Sequence, residues 1–263
     1  MINKQEFLIN AYDSDEKIII AKIIDCANQS LKKHEVVFTD FIDIVKSNKY
    51  VNMFSKVYDI SCFAYGGNDD CERRIIAFYP DYMEIIKNEF PIKIVKITRN
   101  LKFSTKLSHR DYLGAILGLG IERKKIGDII LFDDYTICCV KDEVANYIES
   151  NLIKVGNCNV KTDIFKLNDF EFPEKKFEEK FSTVSSLRLD TVLSSAFNVS
   201  RSKAQNLINS QKVNINWFIV SNPSIIIKEN DIISIRGFGR IKFKEVKGVT
   251  RKGKISIIYI KYI

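Results

Sequence analysis

The residues that could do chemistry here are cations placed where helices are expected to begin. Arg188, Arg201 and Lys203 stand at the starts of two short segments of helical apolar spacing, with Ser200 as N-cap of the second. Arg236, Arg240, Lys242 and Lys244 follow in and after an expected strand. A helix N-terminus already offers unpaired N–H groups to an anion. Guanidinium and ammonium groups added there make a phosphate site, which positions a ligand and needs no nucleophile. Residues 182–263 hold 14 Lys and Arg against 4 Asp and Glu, whereas the whole chain has a net charge of only +8. Residues 1–181 are therefore slightly acidic. That asymmetry is the footprint of a polyanion-binding domain on a near-neutral carrier.

The elements that must position these cations follow from the apolar pattern. Leu187, Leu189, Val192, Leu193 and Phe197 repeat at helical spacing, and Ala204, Leu207 and Ile208 form a second stripe after Ser200. Residues 213–215 and 231–236 alternate as strands, with a turn at Asn222-Pro223 and a stop at Gly237 and Gly239. Ile241, Phe243, Val246 and Val249 alternate again, residues 250–254 make a basic turn, and 255–263 form a last strand. Both helices are short and need each other and a sheet. Arg188-Leu189-Asp190, Ser200-Arg201-Ser202-Lys203-Ala204, Leu207-Ile208 and Val213-Asn214-Ile215-Asn216 resemble the S4 (αL-type) RNA-binding domain. The family pattern has Gly before the Lys212-Val213 pair. Gln211 stands there instead, where a left-handed C-cap is costlier, and this leaves open how the helix ends.

Upstream, helices are expected over 3–12, 15–33 and 40–54, a strand over 57–63, and a turn at Tyr65-Gly66-Gly67. The middle of the chain reads as a strand at 75–79, a helix at 82–90 between Pro80 and Pro91, and a strand at 92–98. A helix follows, capped by Ser108 and running to Leu117, then strands at 128–132 and 136–140, a helix at 142–152 and a strand at 160–167. The expected class is α+β. It comprises an N-terminal mixed, largely helical domain (1–71), a small central RRM-like α+β domain with helices on one side (72–168), a linker (169–182), and the S4 domain with a β extension (183–263).

Several chemistries are excluded. The six cysteines form no C-x-x-C pair and there are two histidines, which speaks against zinc and for reduced thiols in a cytoplasmic protein. No metal site and no cofactor are expected. No apolar run is long enough to span a bilayer, the N-terminus lacks a secretory pattern, and no basic amphipathic helix points to a membrane surface. His109-Arg110-Asp111 spells a kinase motif without the partners it needs. Gly114, Gly118 and Gly120 end a helix where a dinucleotide fingerprint must begin one.

Tyr65-Gly66-Gly67 with Cys71-Glu72-Arg73-Arg74, then residues 107–121 (LSHRDYLGAILGLGI) and Lys125-Ile126-Gly127-Asp128-Ile129, resemble the YlmH family. These are bacterial three-domain proteins ending in an S4 domain and often encoded beside cell-division genes. The resemblance covers nearly the whole chain. Cys71 stands where the family tends to have Ala, a small-for-small exchange. The resemblance implies a non-catalytic factor that binds rRNA and tRNA on the large ribosomal subunit, in rescue or quality control of stalled peptidyl-tRNA complexes. Arg188, Ser200, Arg201, Lys203, Gln205, Lys212, Arg236, Arg240 and Lys242 are the expected RNA-binding residues. Lys102, Lys106, His109, Arg110, Arg123, Lys124 and Lys125 would line a second RNA surface in the middle domain. Arg201→Glu is expected to abolish RNA association while the fold survives. A monomer with no membrane partner is expected.

The alternative is an RNA-modifying enzyme that uses the S4 domain as a handle. Arg188-Leu189-Asp190 resembles the catalytic Arg-Leu-Asp of pseudouridine synthases, but it lies inside the S4 helix, and too few residues follow Gly239 for a catalytic domain. Methyltransfer would require a Gly-rich strand–helix turn, which the sequence lacks.

Overall fold

The computed structural model describes residues 2–9, 14–99, 107–172 and 177–262. It divides into two units, Met1–Phe172 and Pro173–Ile263, and the chain is α+β.

In the first unit, helices Lys4–Leu8 (α1), Ser14–Lys33 (α2) and Ile44–Phe54 (α3) accompany an antiparallel sheet. Its strands are Val37–Phe38 (β1), Ile42–Asp43 (β2), Ile60–Tyr65 (β3) and Arg73–Pro80 (β4), and the first three each pair with β4. Asp43 caps α3 by accepting from the Lys46 N–H at 2.9 Å. The stripe Ile20, Ile23, Ile24 and Ala27 of α2 meets Tyr50 and Phe54 of α3 and Ile76 and Phe78 of β4 in one buried cluster.

Alternation along β4 sends Ile75 and Ala77 the other way, into a second core with Ile92, Ile94, Ile137 and Cys139. Those partners belong to a second antiparallel sheet of Ile92–Arg99 (β5), Ile126–Leu131 (β6), Tyr135–Lys141 (β7), Lys154–Val155 (β8) and Cys158–Lys166 (β9), in the order β6-β7-β5-β9-β8. Its far face carries helices His109–Gly118 (α4) and Asp142–Asn151 (α5) through Val95, Ile97, Tyr112, Ile116, Cys138, Val140 and Ile148. The unit is two sheets packed face to face between two layers of helix.

Three sequence expectations change here. Residues 75–79, read as the opening strand of the middle domain, are the strand on which the first sheet is built. Residues 82–90 form no helix beyond a 3-10 turn at Lys87–Glu89; Tyr82 and Ile86 stay exposed, while Phe90 and Ile85 pack into the second core from an irregular segment. The second sheet is covered on both faces rather than on the helix side alone.

The motifs that carried the family resemblance lock these two sheets together. The Asp128 carboxylate accepts from the Glu72 and Arg73 N–H groups at 2.7 and 2.9 Å. Arg73 donates back to the carbonyls of Ile126 and Phe41 at 2.9 and 3.0 Å. Arg74 closes the loop before β4 by donating to Cys71 and Asp69 carbonyls. Burial depresses the Arg73 guanidinium to about 10 and raises the Asp128 carboxyl, as expected of charges committed to structure.

In the second unit, Phe177–Val184 (β10) precedes helices Leu189–Ala196 (α6) and Arg201–Asn209 (α7). Strands Val213–Ile215 (β11), Phe218–Ile219 (β12), Ile232–Ile235 (β13), Gly239–Val249 (β14) and Ile255–Tyr262 (β15) complete a six-stranded antiparallel sheet ordered β10-β15-β14-β13-β11-β12. Leu189, Val192, Leu193, Ala204 and Ile208 pack on Val213, Ile233, Ile235, Ile241 and Phe243, so both helices lie on one sheet face. Residues 177–182, expected within a linker, are instead part of β10, paired with β15 along its length. The end of α7 is settled as well. Gln211 adopts φ +56°, its N–H reaches the Ile208 carbonyl at 2.9 Å, and the Lys212 N–H reaches the Leu207 carbonyl at 3.1 Å. This is a Schellman cap made without glycine.

Candidate nucleic-acid interface

The two helix starts of the second unit are joined by one acid. Asp190, in the first turn of α6, is fully buried. Its carboxylate accepts from Arg188 Nε and Nη2 at 3.1 and 3.2 Å, from Arg201 Nε at 2.9 Å, and from Gln205 Nε2 at 2.8 Å. Desolvation alone would raise its pKa, but these three donors outweigh burial and hold the carboxyl below the usual carboxylate range. Arg188 lies just before α6, while Arg201 and Gln205 lie in the first turns of α7. One carboxylate therefore orients two guanidinium groups and leaves a net positive charge. Arg201 remains 54% exposed and Arg188 34%, so their outer edges face solvent.

The α7 start is finished by Ser200, whose hydroxyl accepts from the Lys203 N–H at 3.2 Å. The Lys203 ammonium lies 5.3 Å from the Phe238 ring centroid, which ties the helix start to the turn between β13 and β14. Lys212 and Arg236 are exposed neighbours, joined by the Arg236 N–H to Lys212 carbonyl bond at 2.9 Å. Arg240 and Lys242 stand elsewhere. They pair with Ser234 and Ile232, on the sheet face opposite the one that buries Ile233, Ile235 and Ile241 against the helices. The expected RNA-binding set thus divides into a helix-side group (Arg188, Ser200, Arg201, Lys203, Gln205), an exposed pair (Lys212, Arg236) and an outer-face pair (Arg240, Lys242).

The second expected surface is divided in a different way. Arg123 donates to the Ile126 carbonyl at 2.6 Å, Lys124 pairs with Glu122 at 2.8 Å, and Lys125 pairs with Asp40 and Glu143 at 2.7 Å each. Lys124, Lys125 and Asp40 line a cavity of about 590 Å³ together with Lys22, Lys46, Arg73 and Lys141. His109 and Arg110 remain exposed at the start of α4, beside the capping box that Ser108 forms with Asp111. Lys102 and Lys106 lie outside the described residues. No cluster of three or more His, Cys, Asp or Glu side chains able to hold a metal occurs among the described residues. Within them, no helix is long and apolar enough to cross a membrane.

Sequence reasoning missed Asp190 as the organising group. The available signal was an acid in the first turn of one helix, flanked by the arginine before it and facing the arginine that begins the next. Trp217 and Phe238, the aromatic partners of Arg240 and Lys203, were also missed.

Comparison with known proteins agrees with this layout. Family models match in chain order over residues 15–83 ("YlmH, N-terminal"), 86–169 ("Putative RNA-binding domain in YlmH") and 187–233 ("S4 domain"). The chain is 30% identical over 248 residues to "Ribosome-associated protein quality control protein P2" of Bacillus subtilis (strain 168), covering 94% of this chain and 96% of that protein. Among solved structures, "Cell division protein ylmH from Streptococcus pneumoniae" aligns with a TM-score of 0.52 at 21% identity, over 60% of this chain and 96% of that one. At that identity it speaks to the fold alone.

Proposed function

The chain belongs to the YlmH family, and from that premise we propose that it is a non-catalytic RNA-binding factor acting on the large ribosomal subunit. It binds rRNA and tRNA there, as a cytoplasmic monomer, and serves rescue or quality control of stalled peptidyl-tRNA complexes. The observation that carries this reading is the buried Asp190 with Arg188 and Arg201 fixed around it. Ordering two long cationic side chains costs entropy, and here that cost is met within the fold before any ligand arrives. The guanidinium edges left in solvent suit phosphate oxygens. Such contacts recognise the shape and backbone of folded RNA and position it without reacting with it. The relative's name, a ribosome-associated quality control protein, supplies the setting. Among the described residues of the second expected surface, His109 and Arg110 are exposed and offer a further RNA contact.

The test is sucrose-gradient sedimentation of tagged protein in its own lysate at low and raised salt. The protein is expected to travel with free large subunits at low salt. Affinity is expected to fall by roughly 0.7–0.9 log units per log unit of salt for each phosphate neutralised. Lys203→Ala and Arg236→Ala, both at exposed positions, are each expected to weaken association and reduce that slope by about one phosphate without unfolding the chain. Protein that stays at the top of the gradient at both salts rejects the ribosomal reading.

A further inference from the structure

We propose that Trp217, backed by Arg240, is a stacking platform for an unpaired RNA base, on the sheet face opposite the helices of the C-terminal unit. The proposal rests on the RNA-binding reading above and adds a second, chemically different contact to it. Asn216 and Trp217 form the two-residue connection between β11 and β12, whose last pair is Ile215 with Phe218. Both central residues have positive φ, +49° and +68°. That is the signature of a type I′ hairpin turn, whose preferred sequence is Asn-Gly. Asn216 fits, and its side chain braces the turn by donating to Asp231 at 2.8 Å and accepting from the Ile232 N–H at 2.9 Å. Tryptophan does not fit. A bulky side chain in the left-handed region is strained, and such strain is retained where it serves a function.

The fold gives Trp217 little in return. It is absent from the buried core of its unit, and its indole N–H is buried with no acceptor among the described residues. The ring instead lies against Arg240, whose guanidinium carbon is 5.8 Å from the ring centroid. Arg240 shares its sheet face with Lys242, and Ile219, next along the hairpin, is 62% exposed. Residues 201–244 contain eight Lys and Arg but only Glu229 and Asp231 as acids. Both acids are engaged, Glu229 with the Val246 N–H and Asp231 with Asn216 and the Lys228 N–H. An aromatic face beside cations suits a nucleotide. The base stacks on the indole, and Arg240 and Lys242 take the phosphate. A fully paired stem offers no base to stack, so the platform separates single-stranded or bulged RNA from duplex.

The proposal makes stability and binding move in opposite directions. Trp217→Gly creates the preferred Asn-Gly turn and is expected to raise the melting temperature. The same variant is expected to bind a stem-loop RNA with an unpaired pyrimidine loop on the order of ten-fold more weakly, with affinity for the blunt duplex of that stem unchanged. Trp217 is the only tryptophan, so its fluorescence in the wild-type chain should be quenched by the stem-loop and not by the duplex. Lys203→Ala, on the helix side, should weaken both RNAs alike. Three results overturn the platform while leaving the helix-side reading intact. These are a Trp217→Gly variant that binds both RNAs like wild type, one that is less stable than wild type, and absence of quenching at saturating stem-loop. Wild-type protein that binds neither RNA rejects the RNA-binding reading, and the platform falls with it.

Discussion

Asp190 and Arg201 meet at 2.9 Å across the junction of α6 and α7, the carboxylate fully buried and the guanidinium more than half exposed. The residue expected to grip RNA is therefore also one of the residues that keep a buried charge paired. Arg201→Glu would place a second carboxylate against Asp190 and leave the buried one short of a donor. The sequence-based expectation that this variant keeps its fold is withdrawn on that geometry. Exposed Lys203 and Arg236 are the sounder probes of RNA contact.

The same pair sets an acid limit on the C-terminal unit. The folded-state pKa of Asp190 lies below its ordinary value of 3.8. Its contribution to stability is fully present above that value and is lost as pH falls through the folded-state pKa. Asp190→Asn is expected to cost roughly 2 kcal/mol at neutral pH, at the low end for a buried pair because its partners are partly solvated. It should also flatten the decline in stability below about pH 4. Urea unfolding followed by Trp217 fluorescence at a series of pH values reads this unit specifically. A wild-type and variant pair with parallel acid limbs would show that Asp190 does not carry the dependence.

Gln211 holds a backbone conformation that suits glycine better. The cap hydrogen bonds at Ile208 and Leu207 are made by N–H groups of the main chain, and the Gln211 side chain is exposed. Gln211→Gly should keep both bonds, relieve the left-handed strain and stabilise the unit by about 0.5–1 kcal/mol, less the extra entropy of glycine in the unfolded chain. Thermal melts should move upward with RNA affinity unchanged. A downward shift would mean that the glutamine side chain contributes a contact that outweighs the strain.

Much of this architecture was legible from the chain, and the misses have physical reasons. The two S4 helices, the Ser200 cap and the strand at Val213–Ile215 follow from apolar spacing and capping chemistry, which are local. The strand β10 was hidden because it is an edge strand, polar by design against further pairing. Its Glu178 and Glu179 pair with Lys180 and Lys244, and that charge mixture reads as a hinge. The face-to-face sheets of the first unit did leave a signal. Residues 137–140 run Ile-Cys-Cys-Val without a polar break, and Ile94 and Val95 are adjacent apolar residues. Runs of that kind mark strands buried on both faces, whereas the expectation covered only one. Asp190 was counted as one acid among many cations, because its meeting with Arg201 and Gln205 exists only once two helices are packed. The motif Cys71-Glu72-Arg73-Arg74 identified the family correctly. Its arginines serve the lock between sheets and the loop before β4.

Gly66 and Gly114, both within those family motifs, should respond to the same substitution with opposite signs. A Cβ on Gly66 would sit 2.3 Å from the Arg73 carbonyl oxygen and 2.5 Å from the Cys71 Cβ, against backbone that the Asp128 and Arg73 bonds hold in place. Gly66→Ala therefore has to push β3 and β4 apart where they anchor the second sheet, at a cost of about 2–3 kcal/mol. Gly114 lies inside α4 with nothing within 4 Å of the added carbon. There alanine restricts the unfolded chain and favours the helix, so Gly114→Ala should stabilise by roughly 0.5–1 kcal/mol. Circular dichroism melts of the full chain resolve both changes, and Trp217 fluorescence should report an unshifted transition for the C-terminal unit in each variant. A neutral Gly66→Ala would show that the loop after β3 can yield, and that glycine there answers no packing demand.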